Sequence, residues 1–327
     1  MLRSTALVLL TFATVASADP YDFRLYKLGN PQCGELSGMP CAGVPGGTNF
    51  RATANGNFRV FVRQLAAALT AATLMPPETL GHAGFAFAIE ASVVQISEDP
   101  TGAGGVTFPT QQASLCDASA PCGASGYQNG ISGPVVIPSV HIRKGLPYSF
   151  ELGGRVGWLE KSRMFMGTVE LKWAINEGFT YLPDIAVGGR VSKLINSRDF
   201  DVTTGGLDVS VGKQFALGGM VTLTPYAGWN LMFVGASSNP VDFDPARSLA
   251  KSETRDDQFR DIYVFESVSA GSNTHNRFYG GLRFVASPFM LGAEVSYTLI
   301  GSFRDDNGVE RKVPSVVAGN FMLGVDL

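Results

Sequence analysis

The stretch GTVELKWAI, residues 167–175, shows the pattern that dominates the chain. Apolar side chains such as Leu171 and Trp173 alternate with charged ones such as Glu170 and Lys172. Because side chains alternate between the two faces of a β-strand, this stretch predicts a strand with one apolar and one charged face. The charged face should be wet, and the apolar face needs a covering that the rest of the chain must identify.

The same two-residue period continues from about residue 80 to residue 327 and predicts ten strands. The even-numbered connections between them are all tight, whereas the odd-numbered ones include every long connection, at 98–134, 236–275 and 302–313. An up-and-down sheet places odd and even connections at opposite ends, and short turns opposite long loops are typical of outer-membrane barrels. The predicted strands are 84–97, 135–143, 147–159, 163–176, 180–194, 199–216, 219–235, 276–287, 289–301 and 314–327.

The apolar strand faces need a covering that no set of helices in the chain can supply. A two-sheet sandwich is the alternative, but it gives no reason for the sorting of loop lengths or for aromatic residues at two levels. Two such levels are typical of the interfacial girdles of a membrane barrel. We therefore predict an all-β fold, a transmembrane up-and-down antiparallel β-barrel of about ten strands, with eight or twelve as alternatives. The girdle residues are Tyr148, Trp158, Trp173, Tyr181, Phe215, Trp229 and Phe233.

Residues 1–18 have the features of a signal peptide. Arg3 precedes a short apolar core, and Ala16-Ser17-Ala18 forms a small-x-small cleavage site. A buried N-terminal helix is the alternative. The predicted organisation is a signal peptide at 1–18, a periplasmic or luminal N-terminal segment at 19–79, and a barrel at 80–327.

One amphipathic helix is predicted within the N-terminal segment, at residues 57–75. Asn57 is the candidate N-cap, Phe58 and Leu65 recur on one face, and Pro76-Pro77 ends the helix. The helix must lie against something, and both the barrel lumen and the periplasmic rim remain open as its place.

The last seven residues, FMLGVDL, alternate up to the C-terminus, with Phe321, Leu323, Val325 and Leu327 on one face. This alternation resembles the terminal strand of bacterial outer-membrane β-barrel proteins, which the barrel-assembly machinery reads. That family usually ends in Phe or Trp, so Leu327 is a departure. The resemblance implies the outer membrane of a Gram-negative bacterium, with lipid and lipopolysaccharide as neighbours. It implies no activity, since such barrels include porins, enzymes, adhesins and scaffolds.

Charged side chains on the inward strand faces alternate in sign between neighbouring strands. Opposite charges on adjacent strands attract, and an unpaired charge inside a narrow barrel is costly, so these residues predict a connected network that plugs the lumen. A merely polar interior and a selectivity constriction in an open pore are the alternatives. The predicted luminal charges are Glu90, Arg143, Glu151, Arg155, Glu170, Lys172, Asp184, Arg190, Arg283 and Glu294.

The four cysteines form two close pairs, Cys33 with Cys41 and Cys116 with Cys122. In an oxidising compartment this spacing favours two local disulfides, while the other connectivities and four free thiols remain alternatives. CxxC-like spacing and nearby histidines are absent, so we expect neither a metal site nor a cofactor.

Composition and motifs narrow the function. Charged residues make up 16% of the chain, below the roughly 25% of soluble domains, and a net charge of −3 argues against nucleic-acid binding. His275, near Asp256, Asp257 and Asp261 in the sequence, is the best candidate for a catalytic site. It has no recognisable nucleophile motif beside it, and we predict that the protein is not an enzyme.

The predicted role is that of a structural anchor or scaffold that displays the extracellular loops 98–134 and 236–275 to protein partners. Such an anchor suits the outer-membrane component of an envelope-spanning machine for assembly, secretion or motility. A narrow, porin-like channel for ions or small solutes is the alternative.

Overall fold

The computed structural model describes residues 19–28, 50–96, 108–110, 131, 134–179, 181–218, 221–242, 262–306 and 308–327. The predicted signal peptide, the four cysteines and the three aspartates near His275 lie outside the described residues.

Ten antiparallel strands form a closed barrel, as predicted. Each strand pairs with the next along the chain, and the last strand also pairs with the first, with Glu90 opposite Met322. Closure pairs the backbone of both edge strands, which hydrocarbon requires of a membrane-spanning sheet. The strands are β1 (Phe85–Gln95), β2 (Val135–Leu146), β3 (Phe150–Trp158), β4 (Phe165–Asn176), β5 (Asp184–Ile195), β6 (Phe200–Gly212), β7 (Val221–Ser238), β8 (Thr274–Ala286), β9 (Phe289–Leu299) and β10 (Val316–Asp326).

The outer face of the barrel is apolar and the inner face is polar over much of its length. On β4, Val169 and Trp173 are 62% and 43% exposed, whereas Glu170 and Lys172 are 1% and 2% exposed. The apolar faces therefore point away from the protein, toward lipid. The charged face of this strand is buried inside the barrel, so the expectation that it would be wet is wrong.

Short strands that are not part of the ten-strand wall lie at both ends of the barrel. Val241–Asp242 pairs with Ile262–Tyr263, and Ser302–Arg304 pairs with Glu310–Lys312, both at the end with the long connections. At the other end, Phe215–Gly218 pairs with the start of β7. We refer to these as the loop end and the turn end of the barrel.

Helix α1 spans Phe50–Leu69, so the predicted bounds of 57–75 are wrong at both ends. Asn57 is not the N-cap but lies inside the helix, where its amide donates to the carbonyl of Leu28. Tertiary contacts help to hold the first turns, because the Asn55 side chain accepts hydrogen bonds from the Tyr263 hydroxyl and the Glu266 amide. Sequence rules for caps have no access to such contacts. Within the described residues, no helix is long and apolar enough to cross a membrane.

The helix lies inside the barrel, which settles the choice between lumen and rim. Phe58 and Phe61 are fully buried, and the segment 70–80 continues from the helix toward the turn end, where Phe85 begins β1. Residues 19–28, which include the 3₁₀ helix Leu25–Leu28, pack at the loop end and not at the turn end.

Candidate functional site in the barrel lumen

The loop half of the lumen is an apolar core built around α1. The ring of Phe61 lies 5.0 Å from that of Phe23, 5.5 Å from Phe108 and 5.3 Å from Phe200, measured between centroids. Phe58 stacks on Phe265 at 5.1 Å. These contacts join the helix to the N-terminal segment, the wall and the long connections, so this half of the lumen packs like the interior of a soluble protein. Further members of the core are Leu65, Val94, Val135, Val202, Met232, Val234, Val268 and Val316.

The turn half of the lumen is charged, and its first cluster surrounds Arg155 on β3. The Arg155 guanidinium lies 2.7 Å from the Glu90 carboxylate and 3.0 Å from that of Glu170. His141 also contacts Glu90, at 2.8 Å, and Arg190 approaches Glu170 at 3.8 Å. The side chains in this cluster come from strands β1 to β5, so the ion pairs tie five neighbouring strands together.

Arginines of the wall also bind carbonyl groups at the C-terminal end of α1 and just after it. Arg277 donates to the carbonyls of Ala67 and Thr70, and Arg155 donates to those of Ala72 and Thr73, after the helix, at 2.8 and 3.0 Å. The last carbonyls of a helix have no partner within the helix and carry partial negative charge. The wall therefore adds donors at the helix end, where the Thr70 hydroxyl also donates to the carbonyl of Ala66.

A second cluster is centred on Glu151 of β3. Its carboxylate lies 3.1 Å from the ammonium of Lys172 and 3.5 Å from the guanidinium of Arg143. Lys172 also donates to the carbonyls of Pro76 and Glu78, at 3.0 and 2.8 Å. All three donors of the lysine are thus used, two of them on the luminal segment, by which we mean α1 together with residues 70–80.

Glu294 of β9 is satisfied by hydrogen bonds from neutral groups. Its carboxylate accepts from the backbone amides of Thr73 and Leu74 at 2.9 and 2.8 Å, and from Tyr226 and Asn320 at 3.1 and 3.0 Å. A carboxylate with several donors needs no cation to be tolerated in a buried site. Glu294 therefore fixes the backbone just after the helix.

All ten predicted luminal charges are buried on the inner face, but they do not form one sign-alternating ring. Arg283 pairs with Glu78 of the luminal segment instead of a neighbouring strand. Asp184 accepts a hydrogen bond from the amide of Gly178 and forms no ion pair within the described part of the chain. The expectation that Asp184 joins Lys172 across the strands is therefore wrong, and the network is completed by the helix segment.

Several luminal residues escaped the sequence reasoning. Arg277 and Glu78 belong to the network, and Tyr279 donates to Asp208 at 2.7 Å. Arg277 and Tyr279 are two residues apart on β8, so strand alternation alone would place both on the inner face. Glu78 gives no such signal, because it lies outside the strands.

Inward glycines make room for the large luminal side chains. A Cβ at Gly228 would collide with the hydroxyl of Tyr279, and one at Gly281 would lie 2.8 Å from the ring of Tyr226. The two tyrosines thus occupy space that the facing glycines leave open. Small residues on the wall allow the narrow barrel to hold large side chains and a helix at once.

His275 is not a solvated loop residue. It is fully buried at the start of β8, and its Nε2 atom lies 3.2 Å from the guanidinium of Arg63 on α1. Arg63 also donates to the carbonyl of Ile300 at 2.6 Å. The histidine is therefore part of the contact between helix and wall. Among the described residues, no group of three His, Cys, Asp or Glu side chains is placed to hold a metal.

Three cavities lie along the described part of the lumen, and the middle one is the smallest. A cavity of about 490 Å³ at the turn end is lined by Glu78, Glu177, Lys213 and others, and one of about 220 Å³ lies at the loop end beside Arg59. Between them, a cavity lined by Thr70, Arg155 and others has a volume of about 20 Å³. That is room for about one water molecule.

Four of the predicted girdle residues, Trp158, Trp173, Trp229 and Phe233, lie on the outer face of the wall. At the turn end Trp173 stacks on Phe150, with ring centroids 5.8 Å apart. At the loop end Trp158 pairs with Phe165 across β3 and β4, whereas Trp229 lies near the middle of β7 and donates to Asn276 at 3.1 Å. Tyr148, Tyr181 and Phe215 are exposed in the connections at the turn end, and Phe233 is half-buried. On β10, Phe321, Leu323 and Leu327 are exposed and Val325 is half-buried.

Comparisons with known proteins return only distant likenesses. No family model and no curated protein matches the chain. Among solved structures, the attachment invasion locus protein Ail of Yersinia pestis is 14% identical, covering 75% of this chain and 99% of its own, with a TM-score of 0.25. Neisserial surface protein A is 13% identical, with 74% of this chain and 96% of its own covered and a TM-score of 0.27. OprG from Pseudomonas aeruginosa is 10% identical, with 76% of this chain and 99% of its own covered and a TM-score of 0.26.

These TM-scores are too low to support an argument, so the assignment rests on the strand pairings and on the two faces of the wall. A closed antiparallel ten-strand sheet with an apolar outer band and a charged interior is the architecture of a transmembrane β-barrel.

Proposed function

We propose that the protein is a non-enzymatic outer-membrane anchor whose lumen is closed by its own N-terminal helix and whose loop end is presented to the outside of the cell. The observation that carries the proposal is the occupied middle of the lumen. There the wall cations Arg155, Lys172 and Arg277 all donate to backbone carbonyls of the luminal segment. A group engaged in this way is not available to a passing solute.

The energetics of these contacts argue against a working pore. An ion that entered would have to displace buried charges from their partners, and an unpaired buried charge costs about 3–5 kcal/mol. The cavity at the level of Arg155 holds about 20 Å³, far less than a hydrated ion needs. The narrow, porin-like channel is accordingly the weaker candidate.

The proposed anchor presents the connections at its loop end, including 98–134 and 236–275, to protein partners. Lipid and lipopolysaccharide surround its outer face, and the C-terminal residues Phe321, Leu323, Val325 and Leu327 are the proposed signal to the barrel-assembly machinery. A rigid barrel without a pore suits the outer-membrane component of an envelope-spanning machine for assembly, secretion or motility, since a scaffold must not leak.

The test is the conductance of the purified protein in a planar bilayer. The expected result is little or no steady current in the wild type, and a current in a variant that lacks residues 50–75. The heat-dependent gel shift of folded barrels checks that the deletion variant is folded.

Arg155→Ala combined with Arg277→Ala gives a second variant, which keeps the helix but removes cations that hold its C-terminal end. It should conduct intermittently as the helix end moves. Large, steady currents in the wild type, with an ion preference that changes in Glu151→Lys, would reject the closed anchor and establish the channel.

A further inference from the structure

The N-terminal residues of the described chain lie at the loop end of the barrel. The amide of Tyr21 donates to the carbonyl of Lys161 at 2.9 Å, and the amide of Arg163 donates to the Asp22 carboxylate at 2.9 Å. Both contacts are made with the connection between β3 and β4. The amide of Leu25 in turn donates to Asp199, between β5 and β6.

A third loop-end connection also holds this segment. Phe23 forms a β-bridge with Thr110, and the amide of Arg24 donates to the carbonyl of Pro109 at 2.6 Å. Residues 19–28 therefore contact three different connections at the loop end. The ring of Phe23 also packs against Phe61 in the apolar core. Residues 19–28 thus have defined contacts along their length, as a packed structural element does.

From the loop end, the chain passes down the lumen to the turn end before the first strand begins. The contacts of α1 and the segment after it follow in order: Asn55 with Tyr263 and Arg63 with Ile300 near the loop end, then residues further along with the middle of the wall. Thr79 finally contacts Glu177 in the connection between β4 and β5. Helix α1 has 20 residues, which makes it about 30 Å long, comparable to the hydrocarbon core of a bilayer.

We infer that residues 19–28 lie on the cell-surface side of the outer membrane and that the chain crosses the outer membrane inside its own barrel. In outer-membrane barrels the long connections face outward and the short turns face the periplasm. Residues 19–28 then lie on the outer side, although β1 starts at the inner side. The barrel thus holds its own N-terminal segment on the outer side of the membrane.

The composition of the luminal segment fits passage through a narrow barrel. Small residues follow one another through the second half of α1 and beyond, at Ala66, Ala67, Ala68, Ala71 and Ala72, and all of them are buried. A helix with small side chains needs the least lumen width. The facing wall supplies donors for its terminal carbonyls, so its backbone is satisfied within the membrane.

This inference deepens the proposed display function, because it names the chain's own N-terminal segment as part of what is displayed. It rests on that proposal for which end faces outward. Its test is separate from conductance. A barrel that conducts and whose N-terminal segment is accessible on intact cells would overturn only the closed lumen. A barrel that does not conduct and whose N-terminal segment is accessible only after permeabilisation would overturn only the inference.

The experiment places one short epitope at three positions and compares antibody staining of intact cells with staining after the outer membrane is permeabilised. The first position follows Pro20, which is exposed in the N-terminal segment. The second follows Asp306, which is exposed at the loop end, and the third follows Tyr181, which is 96% exposed at the turn end. The heat-dependent gel shift of each variant checks that the barrel has folded.

The expected result is that the epitopes after Pro20 and Asp306 stain equally on intact cells, while the epitope after Tyr181 stains only after permeabilisation. Staining after Pro20 that requires permeabilisation, as after Tyr181, would overturn the inference. So would a result in which Tyr181 alone stains on intact cells, because the loop end would then face the periplasm.

Discussion

The two halves of the lumen hold the same helix in different ways. In the loop half, aromatic and aliphatic side chains pack around Phe58 and Phe61, and residues from outside the wall complete the core. In the turn half, Arg155, Lys172 and Glu294 bind the backbone of the chain that leaves the helix. The first half buries apolar surface and the second half satisfies polar groups.

The two kinds of contact have different consequences for the stability of the barrel and for the position of the helix inside it. Apolar packing contributes free energy over a large area but tolerates small shifts of the helix. Hydrogen bonds from fixed arginines to chosen carbonyls do not tolerate such shifts, since a displaced partner leaves a buried charge unpaired. We therefore interpret the loop half as an apolar core that stabilises the barrel and the turn half as the element that sets the depth of the helix in the barrel.

The largest effect is expected from Arg155→Ala. This change leaves Glu90 and Glu170 without their closest cation and removes two bonds to carbonyls just after the helix, so it should lower the free energy of unfolding by about 3–5 kcal/mol. Unfolding in urea and the temperature of the gel shift measure it. Arg198→Ala, which changes an exposed arginine between β5 and β6, is the matched control and should cost at most about 1 kcal/mol. Equal losses would show that the cluster around Arg155 is not buried.

Phe61→Ala tests the apolar half in the same assays. Its ring touches those of Phe23, Phe108 and Phe200, and removing a buried aromatic side chain costs about 3–5 kcal/mol. Phe278→Ala is the control, because that ring is half-exposed on the outer face. Equal losses of unfolding free energy in the two variants would contradict the assignment of Phe61 to a buried apolar core.

A smaller loss is expected from Tyr279→Phe, which removes one hydroxyl and keeps the ring. Asp208 would lose a hydrogen bond of 2.7 Å in a buried site, at a cost of about 1–3 kcal/mol. Tyr297→Phe changes an outward-facing tyrosine of β9 and should be nearly neutral. A neutral Tyr279→Phe would mean that water replaces the hydroxyl and that this part of the lumen is wet.

The smallest effect is expected from Lys193→Ala on the outer face of β5. Lys193 is exposed near the loop end of the strand, so its loss should change stability by no more than about 0.5 kcal/mol. Lys172→Ala, one strand away on the inner face, provides the contrast, since it removes a fully engaged ammonium. Similar unfolding curves for the two variants would contradict the assignment of inner and outer faces.

Much of the wall could be predicted from the sequence, because alternation with a period of two fixes which side chains share a face. Glu151 and Lys172 were placed on the inner face by this argument alone, and they contact each other at 3.1 Å. The partners of Arg283 and Asp184 could not be predicted. Sign alternation assumes that wall charges pair with each other, whereas Glu78 arrives from the luminal segment.

The apolar half of the lumen gave no usable sequence signal. Phe200, Val202 and Val234 point inward and are fully buried, but apolar residues on both faces of a strand hide the alternation that separates lipid from lumen. The bounds of α1 were missed because tertiary contacts at Asn55 and Asn57 determine its first turns. The disulfides Cys33–Cys41 and Cys116–Cys122 and the signal peptide stay predictions.

The most direct test of the occupied lumen is hydrogen exchange of the folded protein in nanodiscs, read by mass spectrometry on peptides that cover residues 58–72. If the helix fills the barrel, its amides exchange only when the barrel opens, so they should be protected as strongly as those of β3 and β4. Amides of 58–72 that exchange within seconds while β3 and β4 remain protected would place the helix outside the lumen and contradict the account.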